Sequence, residues 1–396
     1  MKRLWIAVVV LTLLPVAAGA ATEQVLWSFG DKKPDGRYPT GGLISVNGTL
    51  YGTTYEGGRH NKYGTCVRKG SCGVVFSLDP GTGAEKVQWS FGNVPDGSNP
   101  QAGLISVKGT LYGTTEFGGN GSCGRYRCGT VFSLDPATGT EKVLWSFGGA
   151  NEGIEPVAGL IFVKGTLYGT TNAGGQYGYG TVFSLDPKTD TEKVLWSFGN
   201  GNDGRGPAAG LISVKGTLYG TTPFGGLYGT GYGTVFSLDP ETGAETVLWS
   251  FGNGTDGASP SAGLISVNGM LYGTTNIGGQ YEGGTVFSLD PETGTETVVY
   301  SFCGRQNCTD GGVPQAGLIA VNGTLYGTTG GGGQFGGGAV FSLDPGTDTE
   351  TAVWSFGNGT DGVGPQAGLI SVNGTLYGTT VLGGAHGGGT VFSLTP

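Results

Sequence analysis

One unit of about 50 residues recurs seven times, and whatever this chain folds into must honour that period. The segment "LYGTT" begins at Leu50, Leu111, Leu167, Leu218, Leu271, Leu325 and Leu376. "VFSL" begins at Val75, Val131, Val182, Val235, Val286, Val340 and Val391. The aromatic of "WSF" is Trp27, Trp89, Trp145, Trp196, Trp249, Tyr300 and Trp354. Successive copies lie 51 to 62 residues apart. About a quarter of the chain is Gly or Pro, a share that without a period would suggest a disordered segment. Here the glycines are periodic and the hydrophobic content is 37%, so the composition reads as a folded repeat.

Each unit holds four strand-like pieces. In the unit from Ala102, "AGLISV" is followed by Lys108-Gly109, where most copies have Asn-Gly. Such a pair marks a two-residue hairpin, because both positions must accept positive φ. "TLYGTT" is the second piece and "GTVFSLD" the third, after a variable Gly-rich loop. "PATGT" sets a turn and "EKVLWSF" is the fourth piece. Four short antiparallel strands per repeat predict a propeller blade. "VFSL" is apolar on both alternations, as a strand buried on both faces should be. In "WSF" the Trp and Phe share a face and are expected between sheets, and the Gly of "LYGTT" is expected to make room for the neighbouring Trp.

The ends predict closure. A lone fourth strand opens the chain after residue 20, "EQVLWSFG" from Glu23, and the last unit stops after its third strand, "GTVFSLTP". Joining the two builds one blade from both termini and leaves no free sheet edge. The expected fold is all-β: a seven-bladed β-propeller of four-stranded antiparallel blades over residues 21–396, and a monomer.

The order "NG-x-LYG…GG…VFSLDPxTGxExxLWSF" resembles the kelch-type blade. More closely, the chain from Val25 to Pro396 resembles the Gloeo_Verruco (GloVer) tandem-repeat family of exported bacterial proteins, in which the unit "LYGTT…GG…G-TVF-L" recurs. That resemblance implies a propeller and export, often with a C-terminal anchor, for which this chain has no motif. It implies no particular activity and carries over no catalytic residues.

Residues 1–20 read as a secretory leader. Lys2 and Arg3 precede an apolar run to Leu14, and Ala18 and Ala20 suit cleavage after Ala20. No other stretch is apolar enough to span a bilayer. Removing Lys2 and Arg3 from 20 basic residues leaves 18 against 29 acidic, a net charge of −11. That argues against nucleic acid and anionic membranes as partners. Six cysteines fall in three close pairs, Cys66 with Cys72, Cys123 with Cys128, and Cys303 with Cys308. In an exported chain these are expected to be local disulfides that fix loop shape. Metal knuckles use closer spacings and four ligands.

One acid recurs with equal strictness. Asp35, Asp96, Glu152, Asp203, Asp256, Asp310 and Asp361 each precede Gly, with Pro further on. Seven copies of one Asx-type turn would explain them. The alternative is a Ca2+ site in each blade, completed by loop carbonyls, with the carboxylates at the channel mouth. Stacked sheets lie about 10 Å apart, so adjacent acids could not share one ion with its ligands at about 2.3–2.6 Å.

The variable loops share one face with the crossovers between blades, and that face is the expected working surface. It offers Tyr55, Phe117, Tyr126, Tyr177, Phe224, Tyr228, Tyr281 and Phe335, with Gln176, Gln280 and Gln334 beside several of them. Aromatic faces with amide donors suit sugar rings, although the same aromatics could plug grooves between blades. His60 and His386 lie in the first and last units, which closure makes neighbours; with Arg59 and Tyr63 they could do acid–base work on an acidic sugar. No nucleophile elbow, zinc-protease motif or phosphate loop occurs. The leading expectation is a secreted non-catalytic binder of an extracellular glycan or cell-surface protein, needing no cofactor. The rival is a polysaccharide lyase-like enzyme at the seam of the first and last units.

Overall fold

The computed structural model describes residues 21–31, 34–59, 71–93, 95–121, 123, 128–229 and 231–396. The leader expectation, His60, Tyr63, Cys66 and Tyr126 lie outside these residues.

Seven four-stranded antiparallel sheets form the ring. In blade 1 the strands run Ile44–Val46, Thr49–Thr54, Val74–Leu78 and Glu85–Ser90, from the innermost outward. Blades 2 to 6 repeat this order. Blade 7 takes Ile370–Val372, Thr375–Thr380 and Thr390–Thr395 from the C-terminal end and its outer strand, Thr22–Ser28, from the N-terminal end. The joint is a full antiparallel ladder, from Thr22 opposite Thr395 to Ser28 opposite Thr390. The ring therefore closes as the termini predict.

The hairpins follow their turn chemistry. Asn47 and Gly48 have φ of 52° and 84°, and even Lys108 takes φ 52° before Gly109. The two-residue loop twists the way the strands do only if both residues sit there. At the opposite hairpin the Asp of "DP" makes an Asx turn: Asp79 Oδ1 accepts the Gly81 amide at 2.8 Å, and Asp135 Oδ1 that of Ala137 at 2.9 Å.

Packing corrects one expectation. The Gly of "LYGTT" makes room for the Phe of "VFSL" in its own blade, not for Trp. Gly52 lies opposite Phe76 in register, and a Cβ there would meet the ring at 2.6 Å. Gly113 faces Phe132 and Gly220 faces Phe236 in the same way. The ring that leans over the glycine then meets the Phe of "WSF" from the preceding blade. Phe29 and Phe76 pack edge to face with centroids 5.0 Å apart, and Phe198 with Phe236 likewise. All these phenylalanines are fully buried. Such a pair contributes about 0.5–1.5 kcal/mol beyond its burial. The Trp packs on the same inter-blade cluster as the Phe of "WSF", as expected, Trp27 with Phe29 and Trp89 with Phe91; a bulge precedes it, with Val25 paired to Phe392 and Trp27 to Val391.

Polar bonds join the same blades nearer the axis. Thr53 Oγ1 donates to the Ala102 carbonyl at 2.7 Å, Thr114 to Ala158 at 2.9 Å and Thr221 to Ala262 at 2.9 Å. Thr379 closes the circle by donating to the Pro39 carbonyl at 3.3 Å.

Replacing Gly220 with Ala should cost about 1–3 kcal/mol, because the new Cβ drives into the Phe236 ring. Replacing Gly42, whose Cβ would meet nothing nearer than a carbonyl at 3.5 Å, should change stability by under about 0.5 kcal/mol. Thermal unfolding of the two variants compares them; equal losses would contradict the packing described.

Candidate functional site: peripheral acid pairs and the loop face

The recurrent crossover acids turn outward and away from the channel. The central cavity, about 340 Å³, is lined by the Gly-Leu-Ile segments that open the innermost strands, such as Gly42 and Leu43 or Gly103, Leu104 and Ile105. The acids instead reach back to the glycine that follows each "WSF". Asp35 Oδ2 accepts the Gly30 amide at 2.6 Å, Asp96 Oδ2 that of Gly92 at 3.1 Å, and Asp203 Oδ1 that of Gly199 at 2.8 Å. Asp256 and Asp361 do the same with Gly252 and Gly357, each at 3.1 Å, and Asp310 reaches back six residues to Gly304, beyond Cys303, also at 3.1 Å. Glu152, one methylene longer, accepts from both Gly148 and Gly149, at 3.1 and 2.8 Å. The bond runs backward over about four residues, so it clamps the exit of the outer strand; the forward Asx turn belongs to the "DP" hairpins.

The bulged Trp meets these acids from the side. Trp89 Nε1 donates to Asp96 Oδ2 at 3.3 Å and Trp249 Nε1 to Asp256 Oδ2 at 3.2 Å. In the one groove without a Trp, the Tyr300 hydroxyl donates to Asp310 Oδ2 at 2.9 Å. In the other four grooves the indole Nε1 of Trp27, Trp145, Trp196 and Trp354 is buried without a hydrogen-bond partner.

A second acid completes each groove, and the motif reading missed it. Glu23, Glu85, Glu141, Glu192, Glu245, Glu296 and Glu350 stand four residues before the seven aromatics, at the start of each outer strand. Each faces the crossover acid arriving from the preceding blade: Glu85 faces Asp35, Glu141 faces Asp96, Glu192 faces Glu152, and Glu23 faces Asp361. One oxygen of each glutamate is buried without a protein donor. Burial first, and then the neighbouring carboxylate, push Glu85 up to about 7 and Glu141 and Glu296 up to about 8. Asp96, whose exposure is 5%, rises to about 7 through burial, against the bonds it accepts.

The loop face is organised by pairing of the crossover with the variable loop. Gly36–Arg37 pairs with Glu56–Gly57, and Gly204–Arg205 with Phe224–Gly225. The expected aromatics divide. Tyr55 and Phe117 are partly buried. Tyr177, Phe224, Tyr228, Tyr281 and Phe335 are between 40% and 48% exposed, as are Tyr179 and Tyr232, and all of these lie in blades 3 to 6. Tyr179 and Tyr232 cover the backbone of Gly199 and Gly252 on one side, and Tyr281 covers Gly304. Arg205 stacks 4.5 Å above the Tyr179 ring. Gln176, Gln280 and Gln334 bond to Ser197, Ser301 and Ser355 through their backbone amides, while their side chains stand at the surface. Arg59 lines a groove beside Trp89 and Asn93, between blades 1 and 2. His386 is exposed, with its carbonyl against Gly30 where blades 7 and 1 meet. No described cavity brings the two together.

Cys123 with Cys128 and Cys303 with Cys308 form the expected local disulfides, and Cys72 is disulfide-bonded too. Among the described residues no three His, Cys, Asp or Glu gather closely enough to hold a metal ion, and no helix is long and apolar enough to cross a membrane.

The model of the Gloeobacter/Verrucomicrobia repeat matches residues 61–266, 121–309 and 305–396. No curated protein sequence matches the chain. Among solved structures, an oligogalacturonate lyase in complex with manganese is similar at 11% identity and TM-score 0.54, over 95% of this chain and 96% of that one. The extracellular domain of a one-component system from B. thetaiotaomicron is similar at 10% identity and TM-score 0.53, over 90% of this chain and 38% of that one. At such identities the likeness is one of fold.

A raised glutamate pKa means the folded state holds protons that the unfolded chain gives up near 4.5. That stability is fully present below about 4.5 and drains away as the pH rises through 7 to 8. Thermal unfolding should therefore show a midpoint several degrees higher at pH 5.5 than at pH 8.5. Glu141→Gln should narrow that gap. A midpoint that rises with pH over this range would contradict the assignment.

Proposed function

The chain belongs to the Gloeobacter/Verrucomicrobia repeat family, and from that starting point we propose that it is a secreted, non-catalytic propeller that binds an extracellular glycan on its variable loop face. The observation that carries this reading is the arc of half-exposed rings on blades 3 to 6, Tyr177, Tyr179, Phe224, Tyr228, Tyr232, Tyr281 and Phe335. Solvent-facing aromatics on neighbouring loops suit the apolar C–H faces of sugar rings. The side chains of Gln176, Gln280 and Gln334 supply donors and acceptors for hydroxyls beside them. Tyr179, Tyr232 and Tyr281 are held against glycine backbone, so little side-chain freedom is lost when a ligand arrives. Local disulfides and a leader-like N-terminal sequence support export to an oxidising compartment.

A polysaccharide panel immobilised as an array tests the reading with the mature protein. Binding to at least one glycan is expected, and Tyr228→Ala or Tyr281→Ala should each weaken it about tenfold, equal to about 1.4 kcal/mol. Retention of a surface protein with no glycan bound would move the ligand class to protein. Release of unsaturated uronates, lost in His60→Ala, would replace the reading with a lyase at the seam of blades 7 and 1.

A further inference from the structure

Among the described residues, one peripheral groove holds an arginine directly on its glutamate. Between blades 5 and 6, Arg305 Nη2 lies 2.9 Å from Glu350 Oε2 and donates to the Glu350 backbone carbonyl at 3.1 Å. The Glu350 side chain is fully buried and half of the Arg305 side chain is exposed, so the guanidinium enters from the rim and closes over the acid. Asp310, also fully buried, faces Glu350 from the crossover and keeps Oδ1 without a protein donor. Arg305 sits inside the loop closed by Cys303 and Cys308, which holds it over this groove.

The other grooves keep the acids and replace Tyr300 with Trp; among the described residues no arginine is paired with their glutamates, while Arg59 and Lys86 line the groove beside Trp89. Between blades 1 and 2, Asp96 is 5% exposed, its Oδ1 has no protein donor, and Glu141 faces it with Oε1 in the same condition. Between blades 7 and 1, a cavity of about 310 Å³ is lined by Trp27, Asp35 and Glu85, with Lys86 and Val87 at its side. Between blades 3 and 4, Arg205 acts on Asp203 while stacked on Tyr179. Two carboxylates per groove fall short of the oxygen set a calcium ion needs. Two carboxylates beside an indole match a planar organic cation, which takes bidentate bonds and a cation–π contact.

We propose that the grooves between the outer strands of neighbouring blades are binding sites for a guanidinium or alkylammonium group, and that Arg305 occupies one of them as a built-in ligand. The grooves take a cation where the loop aromatics would take a sugar, so the two readings are tested with different ligands. The cation has two possible sources with the same chemistry, a small free amine or a basic side chain of a protein partner.

Chemical rescue tests this directly. Arg305→Ala should lower the unfolding midpoint at pH 8 by at least about 2 °C, since it strips the partner from a buried carboxylate. Agmatine at millimolar concentration should restore half or more of that loss. It should restore nothing in Arg305→Ala combined with Glu350→Gln, a pair in which the buried charge is gone. The unmodified protein should also be stabilised by agmatine, and less so as Glu141→Gln with Glu296→Gln. A blocked arginine tripeptide run alongside identifies the source: tighter binding of the peptide indicates a protein partner, and tighter binding of agmatine a free amine. No rescue, equal rescue by sodium chloride at the same ionic strength, or rescue by calcium chloride alone would each overturn the proposal. If Arg305→Ala fails to fold, agmatine stabilisation of the unmodified protein against that of the Glu141→Gln, Glu296→Gln variant decides the matter by itself.

Discussion

The fold turns on a missing Cβ. In each blade a glycine on the second strand lies opposite a phenylalanine on the third, and the ring can lean across the sheet only because the glycine has no side chain. The outer-strand phenylalanine of the preceding blade then packs edge-on against that ring. One contact therefore sets both the thickness of a blade and its spacing from the next. Repeated seven times, it sets a ring that must close, and the threonine-to-carbonyl bonds nearer the axis follow the same spacing.

The tryptophans pack, partly buried, against the same inter-blade clusters as the phenylalanines. A bulge precedes each tryptophan, the indoles of Trp89 and Trp249 bond to the crossover acid, and the acid clamps a glycine just past the outer strand. The glutamate of the next blade closes the groove. This brings two carboxylates together with few donors, which a stability argument alone does not explain. In the groove where an arginine pairs with the glutamate, the aromatic is Tyr300 and the crossover is braced by the Cys303–Cys308 disulfide.

Much of the architecture was legible in the chain. Asn47-Gly48 and Lys108-Gly109 announce hairpins through backbone chemistry that has few alternatives. The unmatched strand at Glu23 and the truncated last unit announce closure, and the ladder from Thr22 to Ser28 is where they meet. Two features were harder to read. Strand alternation alone cannot say whether Trp or Phe fills the gap at the "LYGTT" glycine, because both pack in the same inter-blade cluster. The glutamates look like ordinary solvent-side residues of an amphipathic strand. Their constant distance of four residues from the aromatic was the available signal, and only the arrival of a crossover from the neighbouring blade turns it into an acid pair.

Seven inter-blade grooves each hold a glutamate beside a second acid, Glu350 buried and the other six partly so. Carbon-detected NMR titration of the side-chain carboxyls of the folded protein measures this most directly. A set of glutamate resonances should titrate near pH 7 to 8, apart from the remainder, with those of Glu141 and Glu296 among the highest. Glutamates that all titrate near the ordinary value of 4.5 would contradict it.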